Sequence, residues 1–151
     1  MSQFGQNKPM RVLALAQVQR RIGLAVSDEL GLTAQGLPTL YRTNKRQVLA
    51  KLAELAAEKQ VELILVGLPL LLSGEEGAQA QQARQFAGEL ARHTGLPVEL
   101  LDERFTTVQA NRVLRSSGVR LRRRVAPVVD RLAAVLLLQS YLDARAAAAK
   151  G

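Results

Sequence analysis

Acidic residues stand at two places in this sequence where a metal-binding or hydrolytic site could form. Asp102 and Glu103 follow a short apolar run directly and precede Arg104, and Asp130 lies in the apolar stretch VVDRLAAVLLLQSYL. Clustered carboxylates repel one another unless a cation compensates, and hard divalent cations take oxygen ligands. One interpretation is therefore a Mg²⁺ or Mn²⁺ site that cleaves phosphodiesters, built from Asp102, Glu103 and Asp130. The other is that these acids stabilise the positive ends of helix dipoles.

The elements that position these acids are short and alternate in type. Apolar runs predict five strands, at residues 11–16, 21–26, 37–42, 61–68 and 98–101. Apolar periodicity and capping residues predict helices at 44–60, 77–94, 106–117 and 128–149, the first of them capped by Thr43 or Asn44. The order is three strands, helix, strand, helix, strand, helix, helix. It predicts an α/β fold with antiparallel pairing at one side of the sheet and parallel crossovers at the other.

This order places the first acidic group at a favoured position. Open α/β sheets form their sites at the carboxyl ends of strands. Gly67-Leu68-Pro69 ends the predicted central strand, and Asp102-Glu103-Arg104 ends the next one. The sequence thus predicts a site at this edge, with Asp130 reaching it from the last helix.

Positive charge is concentrated near the same acids. The chain has 21 Lys and Arg against 13 Asp and Glu, a net charge of +8. Eight of the arginines fall within one segment: Arg104, Arg112, Arg115, Arg120, Arg122, Arg123, Arg124 and Arg131. Four of them lie in or beside a predicted loop at 118–126. Solubility alone could explain the net charge, but the planar guanidinium suits phosphate, so the clustering favours a nucleic-acid partner.

Composition limits the remaining possibilities. The 151 residues suit one domain, predicted at 10–145, with a flexible lead-in at 1–9 and a frayed tail at 146–151. Cysteine is absent, which excludes disulfides and thiolate metal sites, and no apolar run approaches membrane-spanning length. Tyr41, Phe86, Phe105 and Tyr141 are dispersed, so we expect them to pack in the core rather than stack on bases.

Four motifs, in order and register between Met10 and Asp143, resemble the YqgF/RuvX family. They are Arg20-Arg21-Ile22-Gly23-Leu24-Ala25-Val26-Ser27-Asp28; Val66-Gly67-Leu68-Pro69 with Gly74-Glu75-Glu76-Gly77; Leu101-Asp102-Glu103-Arg104 with Thr106-Thr107; and Val129-Asp130 with Ala133-Ala134 and Gln139-Ser140-Tyr141-Leu142. The resemblance implies a three-layer RNase H-like fold, with a mixed sheet of about five strands flanked by helices. It also implies kinship with Holliday junction resolvases, a cytoplasmic location, and a nuclease that matures the 5′ end of pre-16S rRNA.

The resemblance also implies roles for individual residues. The family's later acids correspond to Asp102, Glu103 and Asp130, which would be the catalytic residues and the ligands of Mn²⁺ or Mg²⁺. Nucleic acid would be held by the arginines of the first motif, of the third motif and of the basic loop: Arg20, Arg21, Arg104, Arg120, Arg122, Arg123 and Arg124. The substrate would be pre-rRNA or single-stranded or branched DNA, with no membrane partner, and the chain would be a monomer or homodimer.

The first strand departs from the family pattern. Family members end this strand with Asp-x-Gly, and the Asp is the first metal ligand, whereas this chain has Ala16, Gln17 and Val18 there. An alanine offers no oxygen to a metal. One alternative is a weaker site at the three remaining acids, favouring Mn²⁺ because Mg²⁺ demands near-ideal geometry. The second is a protein that binds structured RNA or DNA without cutting it, as a ribosome-assembly or Holliday-junction-binding factor. The third is a structural dimer subunit.

Overall fold

The structure is a computed structural model that describes residues 10–18, 20–69, 71, 73–102 and 122–150, without the side chains of 18, 122–128, 149 and 150. Its strands are β1 (Val12–Val18), β2 (Arg21–Ser27), β3 (Ala34–Tyr41), β4 (Leu63–Leu68) and β5 (Val98–Asp102). Its helices are α1 (Lys45–Glu58), α2 (Ala78–Thr94) and α3 (Arg122–Lys150). The predicted helix at 106–117 lies outside the described residues, as does the lead-in at 1–9.

The five strands form one mixed sheet in the order β3-β2-β1-β4-β5. β1 pairs antiparallel with β2, and β2 antiparallel with β3. β1 pairs parallel with β4, and β4 parallel with β5. The predicted α/β fold, antiparallel at one side and parallel at the other, is confirmed.

Helices cover both faces of this sheet. On one face, Leu13 and Leu15 of β1 join a core with residues of α1 and α2. On the other, Val12, Ala14 and Ala16 pack against α3. Because side chains alternate along a strand and both faces are covered, the central strands read as nearly continuous apolar runs.

Predicted capping residues bound the start of α1 and the end of α2. The side chain of Asn44 accepts a hydrogen bond from the backbone N–H of Gln47, which caps the start of α1. Gly95 ends α2 with a φ of 73°, a left-handed conformation that glycine adopts at little cost. Of the two candidate caps of α1, Thr43 and Asn44, the structure thus uses Asn44.

α3 lies close to the backbone of β2 and β3. A Cβ atom on Gly23 would overlap the main-chain carbonyl of Asp130, and one on Gly36 would lie 2.6 Å from Cδ of Arg131. Ala133, Ala134, Leu137, Leu138 and Leu142 bury the apolar side of α3 against the sheet. That apolar side, which suggested a dimer subunit, is therefore used within the chain.

α3 begins earlier and extends further than the sequence predicts. It starts at Arg122 rather than Val128, so Arg122, Arg123 and Arg124 lie in its first turn and not in a loop. Pro127 falls in the second turn and not, as predicted, in the first. The backbone is helical through Lys150, where a frayed end was expected from 146. No helix in the described part of the chain is both long and apolar enough to cross a membrane.

β3 also begins earlier, at Ala34 rather than Leu37. The backbone N–H of Ala34 donates to Oε1 of Gln139, at 3.0 Å, and Nε2 of Gln139 donates to the carbonyl of Leu32, also at 3.0 Å. The start of the strand is thus held by a side chain 105 residues away. Local sequence patterns carry no sign of such a contact.

Candidate nucleic-acid site

One edge of the sheet gathers the carboxyl ends of four strands. β1, β4 and β5 run in one direction, and β3 shares it because both β1 and β3 are antiparallel to β2. Their last residues are Val18, Leu68, Asp102 and Tyr41. The turn into β2 lies at the same edge, hereafter the site edge.

The position that departs from the family pattern lies here, facing α3. Ala16 is opposite Gly23 in the β1–β2 register, and Gly23 lies against the backbone of Asp130. Ala16 is 1% exposed and packs in the core that contains Ala133 and Ala134. A side chain at position 16 therefore points toward the part of α3 that carries Asp130.

Asp130 itself is held by an arginine. Its Oδ2 accepts a hydrogen bond from Nε of Arg21 at 2.6 Å, which is also an ion pair. The side chain of Asp130 is 2% exposed and that of Arg21 is 30% exposed. The sequence predicted Asp130 as a catalytic and metal-binding acid and Arg21 as a phosphate contact, but it did not predict this pairing.

The electrostatics of this pair are not those of a surface salt bridge. Burial raises the pKa of the Asp130 carboxyl, and Arg21 opposes that rise by hydrogen bonding and by its charge. Removing a carboxylate from water disfavours its charged form unless partners compensate. A buried acid with a perturbed pKa and one charged partner, at the favoured edge of an α/β sheet, marks a candidate functional site.

Asp102 lies at the same edge but on the other face of the sheet. Val98 and Leu100 of β5 pack against the core between the sheet and α1 and α2. By alternation, Asp102 occupies a β5 position on that same face, opposite Leu68 in β4, and its side chain is exposed. Asp130 belongs to the α3 face, so the structure does not bring these two acids together.

The described acids do not fit a divalent ion as they stand. Ala16 has no oxygen to donate, Asp130 engages Arg21, and Asp102 lies on the opposite face. Within the described ranges, no three acids, histidines or cysteines are grouped closely enough to hold a metal ion. Glu103, the remaining predicted ligand, lies outside those ranges.

The structure describes only some of the other predicted nucleic-acid contacts, and these lie at different places. Arg20 is exposed in the turn before β2, and its carbonyl accepts a hydrogen bond from the backbone N–H of Arg42 at 2.6 Å. The first turn of α3, at 122–124, begins about 12 Å along the helix axis from Asp130 at 1.5 Å per residue. Arg104 and Arg120 lie outside the described residues.

The prediction that the aromatic residues pack in the core is wrong for one of them. Phe86 is buried, Tyr141 packs beside the α3 core, and Phe105 is outside the described residues. Tyr41, however, is 56% exposed and stands directly opposite Arg21 in the β2–β3 register. Tyr41 is the last residue of β3, which is the outermost strand, so little of the sheet covers it.

Known proteins match this chain over most of its length. The family model described as RuvX, Holliday junction resolvase, covers residues 10–144. A protein of Koribacter versatilis, named "putative pre-16S rRNA nuclease", is 53% identical over 135 residues, covering 89% of this chain and 88% of that protein. A protein of Myxococcus xanthus with the same name is 48% identical, covering 89% of each chain.

Solved structures agree on the fold. RuvC of Thermus thermophilus, in complex with a Holliday junction substrate, superposes with a TM-score of 0.56 at 19% identity, covering 90% of this chain and 95% of RuvC. Fowlpox virus resolvase superposes with a TM-score of 0.56 at 10% identity, covering 89% and 98%. The three-layer RNase H-like fold of the resolvases is thus the fold of this chain. Since the family model spans nearly all of it and its relatives are about half identical, the chain belongs to the RuvX family.

Proposed function

We propose that this chain is a nuclease acting on structured nucleic acid, with the 5′ end of precursor 16S rRNA as its substrate. Relatives that are 48–53% identical over nine-tenths of the chain have names stating this activity. The observation that carries the proposal in this molecule is the buried Asp130, held by Arg21 at the site edge. An acid kept out of water at the carboxyl ends of strands is costly for the fold, which favours a functional role.

The arginines around this acid support a polyanionic substrate. Arg20 is exposed beside Arg21, and nearly a third of the Arg21 side chain remains open to solvent. Helix α3 begins with three consecutive arginines, at 122–124. Arginine forks pair with phosphate oxygens, and such contacts supply most of the sequence-independent affinity for nucleic acid. Arg104 and Arg120, which lie outside the described residues, are proposed as phosphate contacts from the sequence alone.

Dependence on a divalent ion, Mn²⁺ in preference to Mg²⁺, is part of this proposal. Its proposed ligands are Glu103 and Asp130, because Asp102, the third acid that the sequence predicts, lies on the other face of the sheet from Asp130. Since the described acids do not fit an ion, binding has to be measured apart from cleavage. Isothermal titration of the purified chain with Mn²⁺ and with Mg²⁺ does so. We expect weak binding of Mn²⁺, weaker binding of Mg²⁺, and loss of both in Asp130→Asn.

Cleavage is tested on an RNA that joins the 5′ leader of 16S rRNA to the mature 5′ end. We expect cut RNA with Mn²⁺, less with Mg²⁺ and none with EDTA. Asp130→Asn should abolish the cut, because it replaces the acid at the site edge. Asp28→Asn is the matched control, because it neutralises an aspartate at the opposite edge of the sheet and should cleave normally. Absence of metal-dependent cleavage by the unaltered chain would exclude the nuclease.

A second function, binding of structured nucleic acid without cleavage, is favoured by one specific observation. Ala16 stands where the family has its first ligand, and it faces Asp130, whose carboxylate already has a cationic partner. Ala16→Asp separates the two functions. If the chain is an impaired nuclease, the substitution should raise cleavage or Mn²⁺ affinity. If it binds without cutting, RNA affinity should be measurable in EDTA, and cleavage should be absent both from the unaltered chain and from Ala16→Asp.

A further inference from the structure

An exposed tyrosine lies beside the candidate site. Among the described residues, four large apolar or aromatic side chains are strongly exposed: Leu30, Leu32, Tyr41 and Leu71. Tyr41 is the aromatic member of this set. Aromatic rings contribute much when buried, so a ring left open at a sheet edge invites a partner that covers it.

The register fixes where this ring stands. Tyr41 is directly opposite Arg21, so the two side chains share a face of the sheet. That face is the α3 face, because Arg21 reaches Asp130 on α3. Directly paired residues have Cβ atoms about 5 Å apart in an antiparallel sheet. Tyr41 is therefore the immediate neighbour of the arginine that holds the buried acid.

The chain around the ring is positively charged. The guanidinium of Arg42, the next residue, lies over the ring of Phe86 on the other face of the sheet. The cations beside the ring are therefore the exposed Arg20, whose carbonyl is hydrogen bonded to the backbone of Arg42, and the partly exposed Arg21. No acidic residue occurs between Glu29 and Glu54, and the first turn of α1 carries none. An anionic chain can therefore approach the ring without meeting a carboxylate on β3 or on the start of α1.

We propose that Tyr41 is a stacking platform for an unpaired base of a nucleic acid whose phosphates contact Arg20 and Arg21. The proposal rests on the proposed function and deepens it by naming the substrate class: a single-stranded segment next to the site. A base inside a duplex already stacks on its neighbours, so only an unpaired one can lie on the ring. Aromatic platforms flanked by cationic side chains are how proteins bind single strands without reading sequence.

The chain offers a direct optical test, since it has two tyrosines and no tryptophan. Tyr141→Phe leaves Tyr41 as the one strong fluorophore. Titration of this variant with a single-stranded oligo-A RNA hexamer, in low salt with EDTA, should quench its emission saturably as a base stacks on the ring. A fully paired RNA duplex should quench it far less. Duplex quenching equal to that of the single strand would overturn the proposal.

Affinity gives a second measurement. Tyr41→Ala should weaken binding of the hexamer roughly 5- to 150-fold, the range that stacking of one base supplies. Tyr41→Phe keeps the ring and should bind as the unaltered chain does. Leu32→Ala, which removes an exposed side chain at the opposite edge, is the matched control and should change nothing.

The two proposals fail in different ways. Unchanged hexamer affinity in Tyr41→Ala would overturn the platform and leave the nuclease standing. Saturable quenching and the affinity loss, together with no cleavage of the pre-16S RNA, would exclude the nuclease and support the platform.

Discussion

The two edges of the sheet each hold an aspartate, and they hold it in opposite ways. Asp28 follows β2, and its Oδ1 accepts hydrogen bonds from the backbone N–H of Leu32 at 2.8 Å and of Thr33 at 3.3 Å. The Leu32 bond, the largest cause, lowers the pKa of Asp28. At the site edge, burial raises the pKa of Asp130 despite the adjacent Arg21. The charged form of Asp28 is stabilised by the turn that it accepts hydrogen bonds from. The charged form of Asp130 is instead disfavoured by burial.

Helix α3 contacts both edges of the sheet, so the way it is held can be compared at the two aspartates. Near Asp28 it is fixed by Gln139, a neutral amide that accepts from Ala34 and donates to Leu32. This contact joins helix to sheet without burying a charge. At this end, α3 is thus held to the sheet by neutral groups alone. Since a buried charge is costly even when paired, Asp130 is better explained by chemistry at the site edge than by packing.

The largest effect on stability is expected from Gly23→Ala, which would displace α3 at the site edge while leaving the Asp28 turn in place. The new methyl overlaps the carbonyl of Asp130, so α3 must move away from the sheet. We expect the free energy of unfolding, measured by urea denaturation, to fall by about 2–3 kcal/mol.

Gly88→Ala is the control for that substitution. It lies in α2, where the nearest atom to the new methyl is Nη1 of Arg92 at 3.7 Å. It should raise the free energy of unfolding by about 0.5–1 kcal/mol, because glycine is a poor helix former. A fall of similar size in both variants would mean that close packing of α3 at Gly23 is not the cause.

A smaller effect, in its dependence on pH, is expected from Asp130→Asn. The folded chain holds the Asp130 proton more tightly than the unfolded chain, whose carboxyl has a pKa near 3.8. The stability contributed by this group is therefore complete below pH 3.8 and is lost as pH rises through the higher folded pKa. The free energy of unfolding is measured by urea denaturation. That of the Asn variant should rise relative to that of the unaltered chain as pH rises from about 3.5 to neutral. A fall in the relative stability of the variant over that range would show that the effect of Arg21 on the pKa of Asp130 exceeds that of burial.

The smallest effect, and the opposite sign, is expected from Asp28→Asn. The folded pKa of Asp28 lies below 3.8, so its contribution is present above that pH and is lost as pH falls through the folded value. The unaltered chain should be slightly more stable than the variant at pH 6, and the difference should shrink toward pH 3. Parallel pH profiles for the two Asn variants would remove the contrast between the edges.

Much of the fold could be predicted because its signals are local. Apolar runs located all five strands, and Asn44 and Gly95 bounded two helices. The site was harder, because its defining contact joins Arg21 and Asp130, which are 109 positions apart. Motif matching found both residues but not their pairing. Pairing depends on the strand register and on how closely α3 approaches Gly23, and no short window of sequence encodes either.

Two predictions are wrong. The sequence predicts Tyr41 in the core, yet its exposure depends on β3 being the outermost strand, which composition and periodicity do not report. Pro127 suits a first turn and so predicts a start of α3 at Val128, whereas the helix continues back to Arg122. The roles of Glu103, Arg104 and Arg120 stay predictions, since these residues lie outside the described ranges.

Ala16 has a consequence for how the folded chain depends on its ionic surroundings. Among the described side chains, the charge of Asp130 at the α3 face of the site edge is balanced by Arg21. An aspartate at position 16 would add a second carboxylate to this nearly dry environment. We therefore expect Ala16→Asp to lower the free energy of unfolding in EDTA, and to lower it less when Mn²⁺ is present.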